Sequence, residues 1–137
     1  MGEGTHQSDE SFASVAEYAP AMLWRGDAEG RCIYLNKAQR DFWGVKAEDI
    51  GAFTWASTLL EEDAPLVYGP FSEGMAKRAP FTCEARYRRV DGAIRILKTH
   101  AEPRFDAAGV FTGMIGVNVD VTDERRAEAE RAESEAR

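Results

Sequence analysis

The sequence predicts an α+β domain: two strands, a run of short helices, a three-stranded antiparallel meander and a helix leading out of it. Three observations predict this. Residues 81–88 alternate apolar and polar side chains without a miss, the period of a half-buried strand. Glycine-bearing turns stand at Asp27-Ala28-Glu29-Gly30, Asp91-Gly92 and Asp106-Ala107-Ala108-Gly109, each between two strand-like runs. From Asp123 onward the composition narrows to Arg, Glu and Ala almost alone, with helical spacing.

Each element has a local cause. Residues 1–8 are small and polar and are expected to be a disordered tail. Ser8 and Asp9 can cap a short helix in which Phe12, Val15 and Ala16 form one apolar stripe, with Pro20 as its stop. Strands follow at residues 22–25 and 31–35. Asn36 can cap a helix over residues 37–43, which Gly44 ends. Residues 46–60 read as short helical turns anchored by Phe53 and Trp55. A helix is expected over residues 63–77, with Pro65 tolerated in its first turn and Gly69-Pro70 a break or kink. The meander strands are then 81–88, 94–103 and 110–119. Thr122 or Asp123 can cap the last helix. Thr122, Arg125, Ala129, Ala132 and Ala136 are spaced 3, 4, 3, 4, a short heptad seam. The chain stops inside that pattern, so a longer protein is expected.

Composition limits the functions open to this chain. With 137 residues, 44% hydrophobic and 10% aromatic, it can build one compact core. Its net charge of −7 disfavours nucleic acid, which needs a basic face. Arg86, Arg88 and Arg89 are the one basic cluster and read as the solvated side of a strand. No apolar run approaches the roughly 20 residues that cross a bilayer, and the N-terminus has no secretory pattern, so no direct membrane contact is expected in this segment. Cys32 and Cys83 form neither a zinc set nor a disulfide framework and fit a reducing cytoplasm. No Ser/His/Asp set, phosphate loop or metal cluster is present, so catalysis is not expected. Glu61-Glu62-Asp63 reads as a helix start without a basic partner.

Four stretches carry a family resemblance. They are Trp24 through Ala38 with its turn and Asn36, the aromatic-Gly close Phe42-Trp43-Gly44, the basic strand Arg86-Tyr87-Arg88-Arg89-Val90-Asp91-Gly92, and Gly113 through Arg125 with Asp120-Val121-Thr122. In this order, over about residues 10 to 125, they resemble the PAS family of sensory domains. The resemblance implies a five-stranded antiparallel sheet of order 2-1-5-4-3 with short helices and a pocket over one face. It divides the chain into tail 1–8, N-terminal helix 9–19, PAS domain 20–122 and the start of a coiled-coil signalling helix at 123–137. It further implies that Asp120 and Thr122 couple the sheet to the exit helix, with Asp120 paired to an arginine on a neighbouring strand. Alternatively, both residues only cap the helix.

Period-2 alternation places Trp24, Cys32, Tyr34, Phe81, Cys83, Ala85, Tyr87, Leu97, Thr99, Ala101, Met114, Gly116 and Asn118 on the pocket face. Phe42, Trp55, Leu59, Phe71 and Met75 are expected to close the other side. Asn118 stands out as an amide among apolar neighbours. It either contacts a ligand beside the space left by Gly116 or is satisfied by Thr99, Tyr34 or a buried water. The opposite face would carry Ile96, Ile115, Val117 and Val119, covered by the N-terminal helix through Phe12 and Val15 or by a second subunit.

The ligand stays open. A flavin photosensor of the LOV kind needs a cysteine in an Asn-Cys-Arg-Phe-type helix, which is absent. A haem sensor usually needs a histidine in the helical stretch, and residues 37–78 have none. A small organic ligand, an apolar metabolite or none remains. The implied partners are a second copy of the chain and an effector domain in the same longer chain, such as a histidine kinase or diguanylate cyclase. The alternative is a ligandless module for dimerisation.

Overall fold

The computed structural model describes residues 13–137. The expected tail, the caps Ser8 and Asp9, and Phe12 lie outside the described residues. Residues 13–18 are helical (α1). Then come β1 (Met22–Asp27), β2 (Cys32–Leu35) and α2 (Lys37–Trp43), followed by 3-10 turns at Ala47–Ala52, Trp55–Thr58 and Glu61–Asp63. Helix α3 (Ala64–Lys77) leads to β3 (Phe81–Arg88), β4 (Ile94–Phe105), β5 (Phe111–Asp120) and α4 (Thr122–Ala136). The strands form one antiparallel sheet in the order β2-β1-β5-β4-β3. The core lies between its inner face and α2, α3 and the 3-10 turns, around Phe42, Val67, Phe81, Tyr87, Leu97 and Met114.

Local chemistry explains the boundaries. Asp27 Oδ1 accepts from the Glu29 and Arg31 amides at 3.0 and 2.8 Å, which closes the β1–β2 turn. Asn36 Oδ1 caps α2 by accepting from the Gln39 amide at 3.1 Å, and Gly44 ends it in the left-handed region with φ 71°. The same Asn36 accepts from Leu23 N and donates to the Ala16 and Ala21 carbonyls, so one buried amide joins α1, β1 and α2.

Three expectations need correction. Helix α3 runs unbroken through Gly69-Pro70. The bond that Pro70 cannot donate belongs to the Leu66 carbonyl, and Leu66 is 54% exposed, so water can serve it. Asp63 does have a basic partner. Its carboxylate takes the Arg86 amide at 2.7 Å and the Arg86 guanidinium at 3.0 and 2.8 Å, with Glu62 3.7 Å away. This ties the start of α3 to the edge strand β3, beside the Leu59–Tyr87 bridge. The Arg86 hydrogen bonds hold the Asp63 carboxyl below the usual range, against the opposing effect of burial.

The third correction concerns the outer face of the sheet. Of the two expected covers, the N-terminal helix does not supply one through Val15, which is 68% exposed, and a second subunit is the other. Helix α1 is held at the β2–α2 corner instead, where Glu17 accepts from Arg40 at 3.0 and 2.8 Å and from the Tyr34 hydroxyl at 3.0 Å. Ile115 and Val119 on that face stay 38% and 49% exposed.

Candidate functional site

A cavity of about 70 Å³ lies between the inner face and the helices. Of the residues expected in a pocket, Trp24, Trp55, Phe71, Met75, Tyr87, Thr99 and Asn118 line it, with Cys32, Phe81, Cys83 and Met114. Gly26, Asp27, Gly30, Leu35, Trp43 and Val67 complete the wall. All three tryptophans of the chain therefore border one space. Gly30, Cys32 and Trp55 also border a shallow groove formed by Arg31 and residues 51–54, which places the mouth beside them.

Four expected pocket residues lie elsewhere. Tyr34 is turned to the other face by a bulge: Trp24 pairs with Leu35 and Arg25 with Tyr34, but Gly26 pairs with Cys32, leaving Ile33 as the extra residue. Leu35 and Cys32 thus both face inward, and the Tyr34 hydroxyl reaches Glu17. Phe42 is buried in the core beside Trp43, and it is Trp43 that reaches the cavity. These neighbours are about 100° apart around the helix, and sequence alone does not say which one faces the sheet. Leu97 is fully buried but off the wall. Gly116 leaves no free space, because a Cβ there would meet the Trp24 indole. Among the remaining pocket-face expectations, Ala85, Ala101 and Leu59 are core residues rather than wall residues.

The polar part of the wall is a hydrogen-bonded network around Asn118, apart from Trp43 Nε1, which is buried without a partner. Asn118 Nδ2 donates to Gln39 Oε1 at 2.7 Å, and Asn118 Oδ1 accepts from Thr99 Oγ1 at 2.7 Å. Gln39 is fully buried and passes the chain of contacts to Met22 Sδ at 3.5 Å. Of the partners expected for Asn118, Thr99 is present, while Gln39 was missed. It carried no sequence signal beyond being a polar residue three positions after the cap.

The wall holds little reactive chemistry. Burial pushes the Cys32 and Cys83 thiols up, so both stay protonated at neutral pH. Burial likewise raises the Tyr87 hydroxyl. The one wall carboxylate, Asp27, is occupied by the turn amides and by Arg31 Nε at 3.0 Å. Burial alone would raise its pKa, but these bonds outweigh it and hold it low. No group of three His, Cys, Asp or Glu among the described residues is arranged to hold a metal ion.

Two residues beyond Asn118, β5 ends at a second polar cluster. Asp120 Oδ2 accepts from Arg95 Nε on β4 at 2.7 Å, which identifies the arginine. Its Oδ1 accepts from the Thr122 hydroxyl at 2.6 Å and the Thr122 amide at 3.0 Å. Thr122 Oγ1 in turn accepts from Ile96 N at 2.7 Å. Burial raises the Asp120 carboxyl, but the Arg95 and Thr122 bonds outweigh it and keep it low. One turn into α4, Arg125 donates to both carboxylate oxygens of Glu84 on β3 at 3.0 and 2.9 Å. The first turn of α4 is therefore fixed to β3, β4 and β5, while residues 126–137 are exposed.

Comparison with known proteins agrees with this architecture. The family model for the PAS fold matches residues 32–118. The uncharacterized protein y4lL of Sinorhizobium fredii is 29% identical, covering 96% of this chain and 16% of its own length. The C4-dicarboxylate transport sensor protein DctS of Rhodobacter capsulatus is 28% identical, covering 93% of this chain and 20% of its own length. The chain thus spans a fifth or less of these relatives. Among solved structures, a sensory box histidine kinase/response regulator from Burkholderia thailandensis matches with TM-score 0.68 and 23% identity, over 91% of this chain and 95% of that one. No helix among the described residues is long and apolar enough to cross a membrane.

Proposed function

The chain belongs to the PAS fold family, and on that premise we propose that it is a sensory domain that binds a small ligand in its cavity and relays occupancy through α4. One observation carries the reading: β5 supplies both Asn118 on the cavity wall and, two residues later, Asp120, which holds the first turn of α4. A ligand that shifts β5 at Asn118 acts on the strand that anchors the exit helix, giving the two states a differential contact. Likeness to sensor kinase domains supports an effector in the same longer chain, such as a histidine kinase or diguanylate cyclase. The alanine seam of α4 supports pairing with a second copy. Two free cysteines fit a reducing, cytoplasmic setting.

Native mass spectrometry of the freshly purified domain, compared with its denatured mass, tests binding. A reproducible extra mass lost on denaturation supports the sensor. Asp120→Ala tests relay: the domain should stay folded and keep its adduct, while amide exchange in residues 122–136 becomes fast and independent of occupancy. Global unfolding would count against a coupling role.

A second reading is a ligandless dimerisation module, favoured by the exposed Ile115 and Val119 on the outer face. A bare mass together with concentration-dependent dimers in sedimentation would select it.

A further inference from the structure

We propose, resting on the sensing reading above, that the cavity takes a compact uncharged organic molecule and rejects carboxylates, phosphates and ammonium ions. The wall residues carry this inference. Trp24, Trp43, Trp55, Phe71, Phe81 and Tyr87 surround the space, and no lysine, arginine or histidine stands among them. An anion brought into such a site loses its hydration and finds no cation to replace it. Arg31 lines the groove outside the mouth and is already engaged by Asp27 and Glu29. The net charge of −7 adds long-range repulsion to the same exclusion.

Cations fare no better. The one wall carboxylate has both oxygens engaged, Oδ1 by the Glu29 and Arg31 amides and Oδ2 by Arg31 Nε. An ammonium ion would have to compete with Arg31 for a carboxylate whose bonds also hold the β1–β2 turn. Polar groups deeper in the wall are spent on one another: Thr99 serves Asn118, and Asn118 serves Gln39. What the cavity offers is aromatic and aliphatic contact, a few already bonded dipoles and one buried neutral donor without a partner, Trp43 Nε1, the composition of a site for neutral ligands. The enclosed space of about 70 Å³ opens to the groove beside Trp55, which sets the scale at one ring with a short substituent reaching the mouth.

The tryptophans make the test direct. All three indole N–H groups belong to wall residues, so the three indole signals in a ¹⁵N–¹H correlation spectrum report occupancy of this space. Benzyl alcohol, benzoate, benzylammonium and succinate are titrated in turn into the intact 137-residue protein. The expected result is saturable movement of the indole signals with benzyl alcohol, and binding weaker by about tenfold or more for the three charged probes. Benzoate, benzylammonium or succinate binding as tightly as the alcohol overturns the charge selection while leaving the sensing reading standing. No movement with any probe, on protein whose native mass shows no adduct, overturns both. On protein that carries an adduct, the adduct itself decides: a neutral compound supports the inference, and a carboxylate, phosphate or amine overturns it.

Discussion

The two faces of the sheet come from alternate residues of the same strands, and their fates differ. On β5, Met114 on the inner face is 1% exposed, while its neighbour Ile115 on the outer face is exposed and equally apolar. Helices α2 and α3 pack over the inner face. Over Ile115 and Val119 the outer face has no such cover among the described residues, while Ile96 and Val117 are half-buried; α1 is held at the β2–α2 corner by Glu17. Apolar character therefore does not decide burial on this sheet. What decides it is which helix the flanking polar contacts direct onto which face.

That comparison can be broken or sharpened by substitution. The largest effect is expected at Leu97, which is fully buried on the inner face. Leu97→Ala should cost about 2–5 kcal/mol in urea denaturation. A loss below about 1 kcal/mol would mean the inner face is not packed as described. Next comes Asn118→Leu, which leaves Thr99 and Gln39 buried without their partner and should cost about 1–3 kcal/mol. It should also alter ligand binding, and unchanged binding would remove Asn118 from the site.

A smaller effect is expected at the sheet edge, where Asp63 and Arg86 join the helical side to β3. The native Asp63 carboxyl lies below its ordinary value of 3.8, so the pair's stabilisation is present above that pH and is lost as pH falls through the native value. Arg86 is partly exposed and solvent-screened, which keeps the contribution modest. Asp63→Asn should flatten the acid limb of stability measured between about pH 5 and pH 2, and an unchanged limb would show that the pair contributes nothing. The smallest effect belongs to the outer face. Val119→Ser should change folding stability by no more than about 0.5 kcal/mol. If that face pairs with a second copy, the same change should weaken dimers in sedimentation; a large loss of stability in the monomer would show that the face is covered within one chain.

Much of the fold was legible because its signals are local. The alternation over residues 81–88, the glycine-bearing turns and Asn36 before its helix each act within a few residues, and the observed elements follow them closely. The family resemblance implied an arginine partner for Asp120, and the structure shows it to be Arg95. The candidate site was legible where strand period alone sets the face, as at Trp24, Tyr87, Thr99 and Asn118. It failed at Tyr34, where a single bulged residue, Ile33, reverses every side chain beyond it. It failed again at Gly116, since a missing side chain reads as space until the Trp24 indole is seen filling it.

The sequence by itself determined the kinds and order of the elements, the aromatic wealth of the pocket face and the polar stop at the end of β5. Tertiary structure alone decided the shape of the cavity, the burial of one sheet face rather than the other, and the partners of the buried polar groups. The physical reason is range. Turn chemistry and strand period act between near neighbours, whereas the bond from Asn118 to Gln39 joins residues 79 apart in the chain and exists only once both sides of the cavity have packed.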